Sequence, residues 1–253
     1  MPRNPRHASR LPRGLHILHE DRDLIVVEKP AGLLTVASDH DREHTVEQVL
    51  TDYIRKGQAK SRLRAYTVHR LDRYTSGVLI FAKSEQAKET LQDHWPDTEK
   101  HYLAVVHGVL EKDTDTITSY LAENRAQVVY STSNADEGKL SHTKYTVIKR
   151  TEDSTLIDVH LLTGRKNQIR VHMADIRHPV IGDRKYGNDK QPADRLALHA
   201  WWIAFDHPHS GARLRFAARV PGLFRELVGP FTLPTSAPES GGVHGRTPDQ
   251  PQS

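Results

Sequence analysis

The stretch VHRLDRYTSG, residues 68–77, sets one carboxylate, Asp72, between Arg70 and Arg73 and ends on a Thr-Ser-Gly turn. Such a residue is either an ordinary salt-bridged loop aspartate or a carboxylate kept ionised in basic surroundings, able to act as nucleophile or base. Two further stretches carry chemistry. In LLTGRKNQIRVHMADIRHPVIGD a strand is expected to end at Thr163-Gly164 and a helix to follow, with Arg165, Lys166 and Arg170 in its first turns and Ile169, Met173 and Ile176 as its buried stripe. Cations there oppose the helix dipole unless an anion is near, so the segment is either a solvated basic face or a phosphate or carboxylate site. In KHYLAVVHG, Tyr102 heads an apolar strand, where a tyrosine is either core or a stacking platform for a base.

Other motif-like fragments carry less. SHTK, Ser141 to Lys144, has the spacing of acyl-transfer enzymes but falls in a strand pattern, where residues three apart face opposite sides. DHPHSG offers His207 and His209 beside Asp206, yet no matching metal motif accompanies them, and Pro208 with Gly211 reads as a turn. HRLD superficially matches a kinase catalytic loop, without the asparagine, the D-F-G or the glycine-rich loop that a kinase needs. The chain has no cysteine, which excludes disulfides, thiolate metal sites and cysteine nucleophiles and suits a reducing compartment, by default the cytoplasm.

The elements that must position these residues are those of a mixed domain. At 253 residues the chain can bury a sizeable core. DLIVVEKPAG and SGVLIFAKS read as buried strands closed by turns. HTVEQVLTDYIRKG reads as a helix with Thr45 and Gln48 as a capping box, Val46, Val49, Leu50, Tyr53 and Ile54 on one face, and Gly57 as its stop. SEQAKETLQDHWP reads as a capped helix with Ala87, Leu91 and Trp95 on one side and Pro96 ending it. HYLAVVHGVL, AQVVYSTS, LSHTKYTVIKR, TLIDVHLLTG, ALHAWWIAFDH and RLRFAA follow as strands. Consecutive strands favour antiparallel pairing, so the expectation is an α+β domain with a mixed, mostly antiparallel sheet. That domain is expected over residues 15–232, between a flexible basic arm, 1–14, and a Pro-, Gly- and Ser-rich disordered tail, 233–253. No apolar run approaches the length of a membrane helix. A net charge of +4 and a pI near 9.2 suit a polyanionic partner.

Taken in order, EKPAGLLT, VHRLDRYTSGVLIFAKS, KHYLAVVHG, LLTGRKNQIRVHMADIRHPVIGDRKYG and LALHAWWIAFDHP resemble the succession of motifs in the RluA family of pseudouridine synthases, from about Leu15 to Leu227. The resemblance implies the pseudouridine-synthase fold, a long mixed sheet flanked by helices with an RNA cleft across it. By it, Asp72 matches the catalytic aspartate and Arg70 the motif arginine that helps hold the extruded nucleotide. Tyr102 matches the tyrosine that packs on the target uracil, and Arg170 the basic residue paired with the catalytic carboxylate. His69, Arg165, Gln168 and His172 belong to the same motifs without an assigned role. Asn167 stands where many members have histidine, a departure that bears on local substrate contacts.

The implied reaction detaches uracil from C1′ through N1 and reattaches it through C5, which demands no cofactor or metal. It demands a carboxylate ionised at neutral pH, and an adjacent guanidinium favours that form. The nucleotide must also leave its stack, at a cost that backbone contacts offset. Arg62, Arg64, Arg165, Lys166, Arg184 and Lys185 are candidates for those contacts, each being otherwise a solvated surface charge. Three function classes stay open: an RNA isomerase acting on large-subunit ribosomal RNA or transfer RNA, a noncatalytic RNA-binding or assembly module on the same fold, and a metal-dependent phosphoesterase using the histidines. Many relatives carry an S4-like RNA-binding domain before the catalytic one; none is expected here, and the chain is expected to act as a monomer on a compact stem-loop.

Overall fold

The structure, a computed structural model, describes residues 11–37, 45–58, 60–187 and 195–234. The expected arm and tail lie largely outside these residues. Within them, Leu11 and Leu233 pack against the core.

Eleven strands form one sheet. They are β1 (His16–Glu20), β2 (Leu24–Lys29), β3 (Tyr66–Thr67), β4 (Ser76–Ala82), β5 (Glu99–His107), β6 (Thr114–Glu123), β7 (Val129–Thr132), β8 (Lys139–Arg150), β9 (Ser154–Leu161), β10 (Leu198–Asp206) and β11 (Arg213–Ala217). Their order is β1-β2-β4-β10-β5-β9-β8-β6-β7, with β3 added to β4 and β11 to β10. Every strand pair is antiparallel except β10 with β4, where His199 lies opposite Ser76 and Ala200 opposite Gly77. Gly77 is required there: its φ is +122°, and a Cβ would stand 2.0 Å from the Ala200 carbonyl oxygen.

The central strands read as unbroken apolar runs because both faces are covered. On β2 and β4, Ile25, Val27, Leu79 and Phe81 meet Val46 and Leu50 of helix α1 (Val46–Arg55). Their neighbours Leu24, Val26 and Ile80 meet Ala87 and Leu91 of helix α2 (Glu85–Asp93). Successive side chains of a strand point to opposite faces, so these two sets place α1 and α2 on opposite sides of the sheet. Helices α3 (Gln168–Asp175) and α4 (Gly222–Val228) contribute Ile169, Met173, Phe224 and Val228 to the largest core cluster, with β5, β9 and β10.

Several expectations are refined. The α1 capping box is half made: Thr45 accepts from the Gln48 N–H, but the Gln48 side chain turns forward to Asp52. The left-handed cap is Lys56, one residue before Gly57. Helix α2 ends at Asp93, and Trp95 opens a separate 3₁₀ turn, because Pro96 fits the start of a helical turn better than its interior. Helix α3 starts at Gln168, which leaves Arg165 and Lys166 in the preceding turn and only Arg170 in the first helical turn. Strands β1 and β6 and helix α4 were not expected. In SHTK, Ser141 is buried and Lys144 exposed, as opposite faces of β8 require. Among the described residues no helix is long and apolar enough to cross a membrane.

Candidate active site

A cleft of about 1020 Å³ separates the segment Thr67–Arg73 from the turn Gly164–Arg170, and Asp72, Tyr102 and Arg170 all line it. Six cationic side chains, Arg70, Arg73, Lys100, Arg165, Lys166 and Arg170, face two carboxylates, Asp72 and Glu123. That imbalance suits a polyanion.

The backbone around Asp72 is fixed from one direction. Thr35 Oγ1 donates to the Leu71 carbonyl (2.9 Å) and accepts from the Leu71 N–H (3.2 Å). The Arg73 carbonyl accepts from the Gly32 N–H (2.8 Å) and from Lys29 Nζ (3.1 Å). Lys29 is wholly buried and also donates to the carbonyls of Pro30 and Leu33. The Thr75 N–H closes a turn on the Asp72 carbonyl. Burial pushes the Lys29 ammonium down to about 7, against the opposing charge of Asp72 and with that of Arg195. EKPAGLLT thus grips the main chain on both sides of Asp72 and leaves its carboxylate to the cleft.

That carboxylate meets Arg170, 98 residues away: Nη1 donates to Asp72 Oδ2 at 3.1 Å. Of the flanking arginines, Arg73 Nε donates to the Gly32 carbonyl, and Arg70 lines the cleft. Arg170 is itself clamped. Its Nε and Nη2 donate to the two oxygens of Asp183 at 2.7 and 2.8 Å, and Nη1 also donates to Asn167 Oδ1 at 2.8 Å. Its guanidinium carbon lies 5.0 Å from the Tyr186 ring centre. The Asp183 side chain has no exposed surface, Arg170 is 12% exposed and Asp72 32%. Burial alone would push Asp183 up. The Arg170 hydrogen bonds and charge, with the N–H groups of Tyr186 and Lys185, hold it below the usual aspartate range. Burial likewise opposes the Arg170 charge, but Asp183 and then Asp72 raise its affinity for the proton. The cations at the start of α3 therefore do have an anion nearby, and the protein supplies it.

Tyr102 stands at the cleft wall, and burial together with the Asp72 charge raises its phenol well above the ordinary value. It presents a ring and a protonated hydroxyl. The other motif residues hold structure. His69 is pushed down to about 3 by burial and the Lys100 charge, and its Nε2 accepts from the Ile80 N–H. His172 is pushed down to about 4, chiefly by burial, between Thr143 and Ser119. Gln168 accepts from the Arg165 N–H and donates to the His142 carbonyl, tying the turn to β8.

The structure distributes the six expected backbone contacts unevenly. Arg165 and Lys166 line the cleft, Lys166 paired with Glu123. Arg64 pairs with Glu47 and lies over Tyr66, and Lys185 donates to the Gln127 carbonyl; these two, with Arg62 and Arg184, are not among the residues lining the cleft. Asp183, Asn167, Lys29 and Thr35 are the positioning residues that motif reading left without roles. The available signal was the Gly182-Asp183 turn followed by Tyr186 in a segment already singled out. His207 belongs to a tied turn: its Nδ1 accepts from the N–H groups of His209 and Ser210, which puts the proton of the neutral ring on Nε2, facing Asp21 at 3.1 Å.

Residues 23–175, well over half of the chain, match the family model of RNA pseudouridylate synthases. The chain is 36% identical over 221 residues to the uncharacterized RNA pseudouridine synthase YlyB of Bacillus subtilis, covering 86% of this chain and 73% of that protein. It is 37% identical to the ribosomal large subunit pseudouridine synthase D of Nitrosomonas europaea, over 82% of this chain and 62% of that one. It is 34% identical to the dual-specificity RNA pseudouridine synthase RluA of Yersinia pestis, over 79% and 96%. The solved structure of human RNA pseudouridylate synthase domain containing 4 superposes with a TM-score of 0.69 at 21% identity, over 83% of this chain and 90% of that one, and shares the fold. The chain belongs to the family of RNA pseudouridylate synthases, which are isomerases.

Proposed function

We propose that this protein isomerises specific uridines to pseudouridine in large-subunit ribosomal RNA or transfer RNA, with Asp72 reacting at the sugar C1′ of a nucleotide flipped into the cleft. The observation that carries the reading is the chain Asp72–Arg170–Asp183. One carboxylate, a third exposed, is presented to the cleft by a guanidinium whose other hydrogen bonds go to a fully buried carboxylate and to Asn167. An arginine held in this way orients a carboxylate without moving when the substrate arrives. The C1′–N1 bond breaks, the detached uracil turns, the C1′–C5 bond forms, the C5 hydrogen leaves as a proton, and the freed N1 takes one up, so that atoms balance. Asp72 serves this exchange as a nucleophile or base at the sugar, and the Tyr102 ring packs on the uracil while it is detached. Arg70, Arg165 and Lys166 meet the phosphates beside the flipped nucleotide. Arg62, Arg64, Arg184 and Lys185 extend that contact outside the cleft. The substrate class rests on relatives named for the ribosomal large subunit and for dual specificity.

The test is tritium release from RNA labelled at uracil C5, on unmodified transfer RNA and large-subunit ribosomal RNA. Wild type is expected to release tritium from at least one RNA, and Asp72→Asn to bind that RNA without release. Binding by both proteins with no release from either RNA would favour a noncatalytic RNA-binding role.

A further inference from the structure

A second pocket, of about 570 Å³, lies behind the segment that carries Asp72. Leu198 lines the cleft of Asp72, while its neighbour His199 lines this pocket. Adjacent residues of one strand point to opposite faces, so the two sites sit on opposite sides of β10.

The polar groups of this pocket form a chain that ends in unpartnered atoms. Arg195 Nη2 donates to Ser76 Oγ at 2.8 Å, and Ser76 Oγ lies 2.8 Å from His199 Nδ1. An arginine can only donate, so the serine oxygen accepts from Arg195; towards Nδ1 it either donates its own proton or accepts a second bond, and the contact fits both tautomers of His199. Neither His199 Nε2 nor Arg195 Nε–H has a hydrogen-bond partner among the described residues, and both atoms are buried. His199 is 1% exposed, and burial, with the Arg195 charge, pushes it down to about 3, so the ring stays neutral. Arg219 lines the same pocket, and neither it nor Arg195 has a carboxylate partner among the described residues. Glu28 is the one acidic lining residue and pairs with neither. Buried polar atoms without partners are costly, and a pocket lined by their residues and by two arginines that no carboxylate pairs suits an acceptor ligand.

We infer that this pocket binds a phosphate group, through Arg195 and Arg219, at a site separate from the cleft of Asp72. Phosphate offers several acceptor oxygens and matches the forked geometry of a guanidinium. It comes either from an RNA strand that continues round the β2–β4 end of the sheet or from free phosphate and mononucleotides.

The test titrates the full chain, in phosphate-free buffer at constant ionic strength, with inorganic phosphate and with 5′-uridylate, reading heat of binding and the melting temperature. Saturable binding and a raised melting temperature are expected, with no such effect from chloride. Arg195→Met is expected to weaken phosphate binding about tenfold or more, the loss of a charge-assisted contact, and Arg219→Gln to weaken it less. If Arg195→Met does not fold, the exposed Arg219→Gln carries the comparison alone. No saturable binding by wild type, or binding that both variants leave unchanged, would overturn the proposal. The source is read with stem-loop RNA: weaker RNA binding by Arg219→Gln, with a salt slope reduced by about one, assigns the phosphate to the strand, and unchanged RNA binding assigns it to a free ligand. These readouts do not depend on isomerisation, so they stand or fall apart from the activity of the cleft.

Discussion

The two segments that meet across the cleft of Asp72 are held in opposite ways. The loop of Asp72 is gripped by its main chain, through Thr35 on Leu71 and through Lys29 and Gly32 on Arg73. The start of α3 is gripped by its side chains, through Asp183, Asn167 and Tyr186 around Arg170. The first arrangement fixes where a carboxylate sits without using its oxygens. The second uses nearly every donor of a guanidinium and leaves one bond for its partner. The two carboxylates on Arg170 therefore differ in kind: Asp183 is an anchor, sealed and doubly bonded, and Asp72 is held by one bond with room beside it.

The sharpest way to break that comparison is to neutralise each carboxylate in turn. Asp72→Asn keeps the backbone grip and is expected to leave the melting temperature almost unchanged while tritium release falls by about 10⁴-fold. Asp183→Ala should do the reverse first: with the mostly buried Arg170 stripped of its doubly bonded partner and left with single bonds to Asp72 and Asn167, stability drops by about 3 kcal/mol in denaturant titration, and activity falls because Arg170 loses its anchor. Asp183 sits below its usual range, so its contribution is present at neutral pH. It is lost as the pH falls below about 3.9 and through the folded-state value. Asp183→Asn should flatten that part of the acid limb. If both carboxylate variants lost stability equally, the division into anchor and reactive group would be wrong.

Much of this was legible in the sequence, and the limits are physical. The apolar runs of β2, β4 and β10 announce strands covered on both faces, and Asp72, Tyr102 and Arg170 stand in motifs specific enough to be picked out. Strand β6 was not legible because TDTITSYLAE alternates threonines and serine with few apolar residues, its outer half packing only partly. Nor could spacing reveal that Arg170 meets Asp72, since two arginines stand closer in sequence and this partner lies 98 positions on. Lys29 reads as an ordinary charged end to a strand. Only the fold shows three carbonyls converging on its buried ammonium. The unpartnered polar atoms behind β4 have no sequence signature, because each side chain is unremarkable until the sheet brings Ser76, Arg195 and His199 together.

The backbone grip has its own test. Thr35→Val keeps the shape at a buried site but leaves the Leu71 N–H and carbonyl without their shared partner, an expected loss of about 1–3 kcal/mol in unfolding free energy. The rate should fall further than that loss would cause through unfolding alone, as Asp72 loses its fixed position, and RNA affinity should hold. A variant with wild-type kcat would show that the grip of Lys29 and Gly32 on Arg73 suffices.

The smallest expected effect is at Asn167, whose side chain accepts from Arg170 Nη1 and donates to the Tyr186 hydroxyl. Its backbone is left-handed, φ 55°, so alanine would add strain of its own, and Asn167→Gly is the cleaner change. It should cost about 1–2 kcal/mol, the scale of the two hydrogen bonds it removes, because Asp183 still holds Arg170 by two. The split of the kinetic effect then decides what Asn167 does: a lower kcat at unchanged KM means that it aims Arg170 at Asp72, whereas a raised KM alone means that it touches RNA and that the side-chain clamp is complete without it.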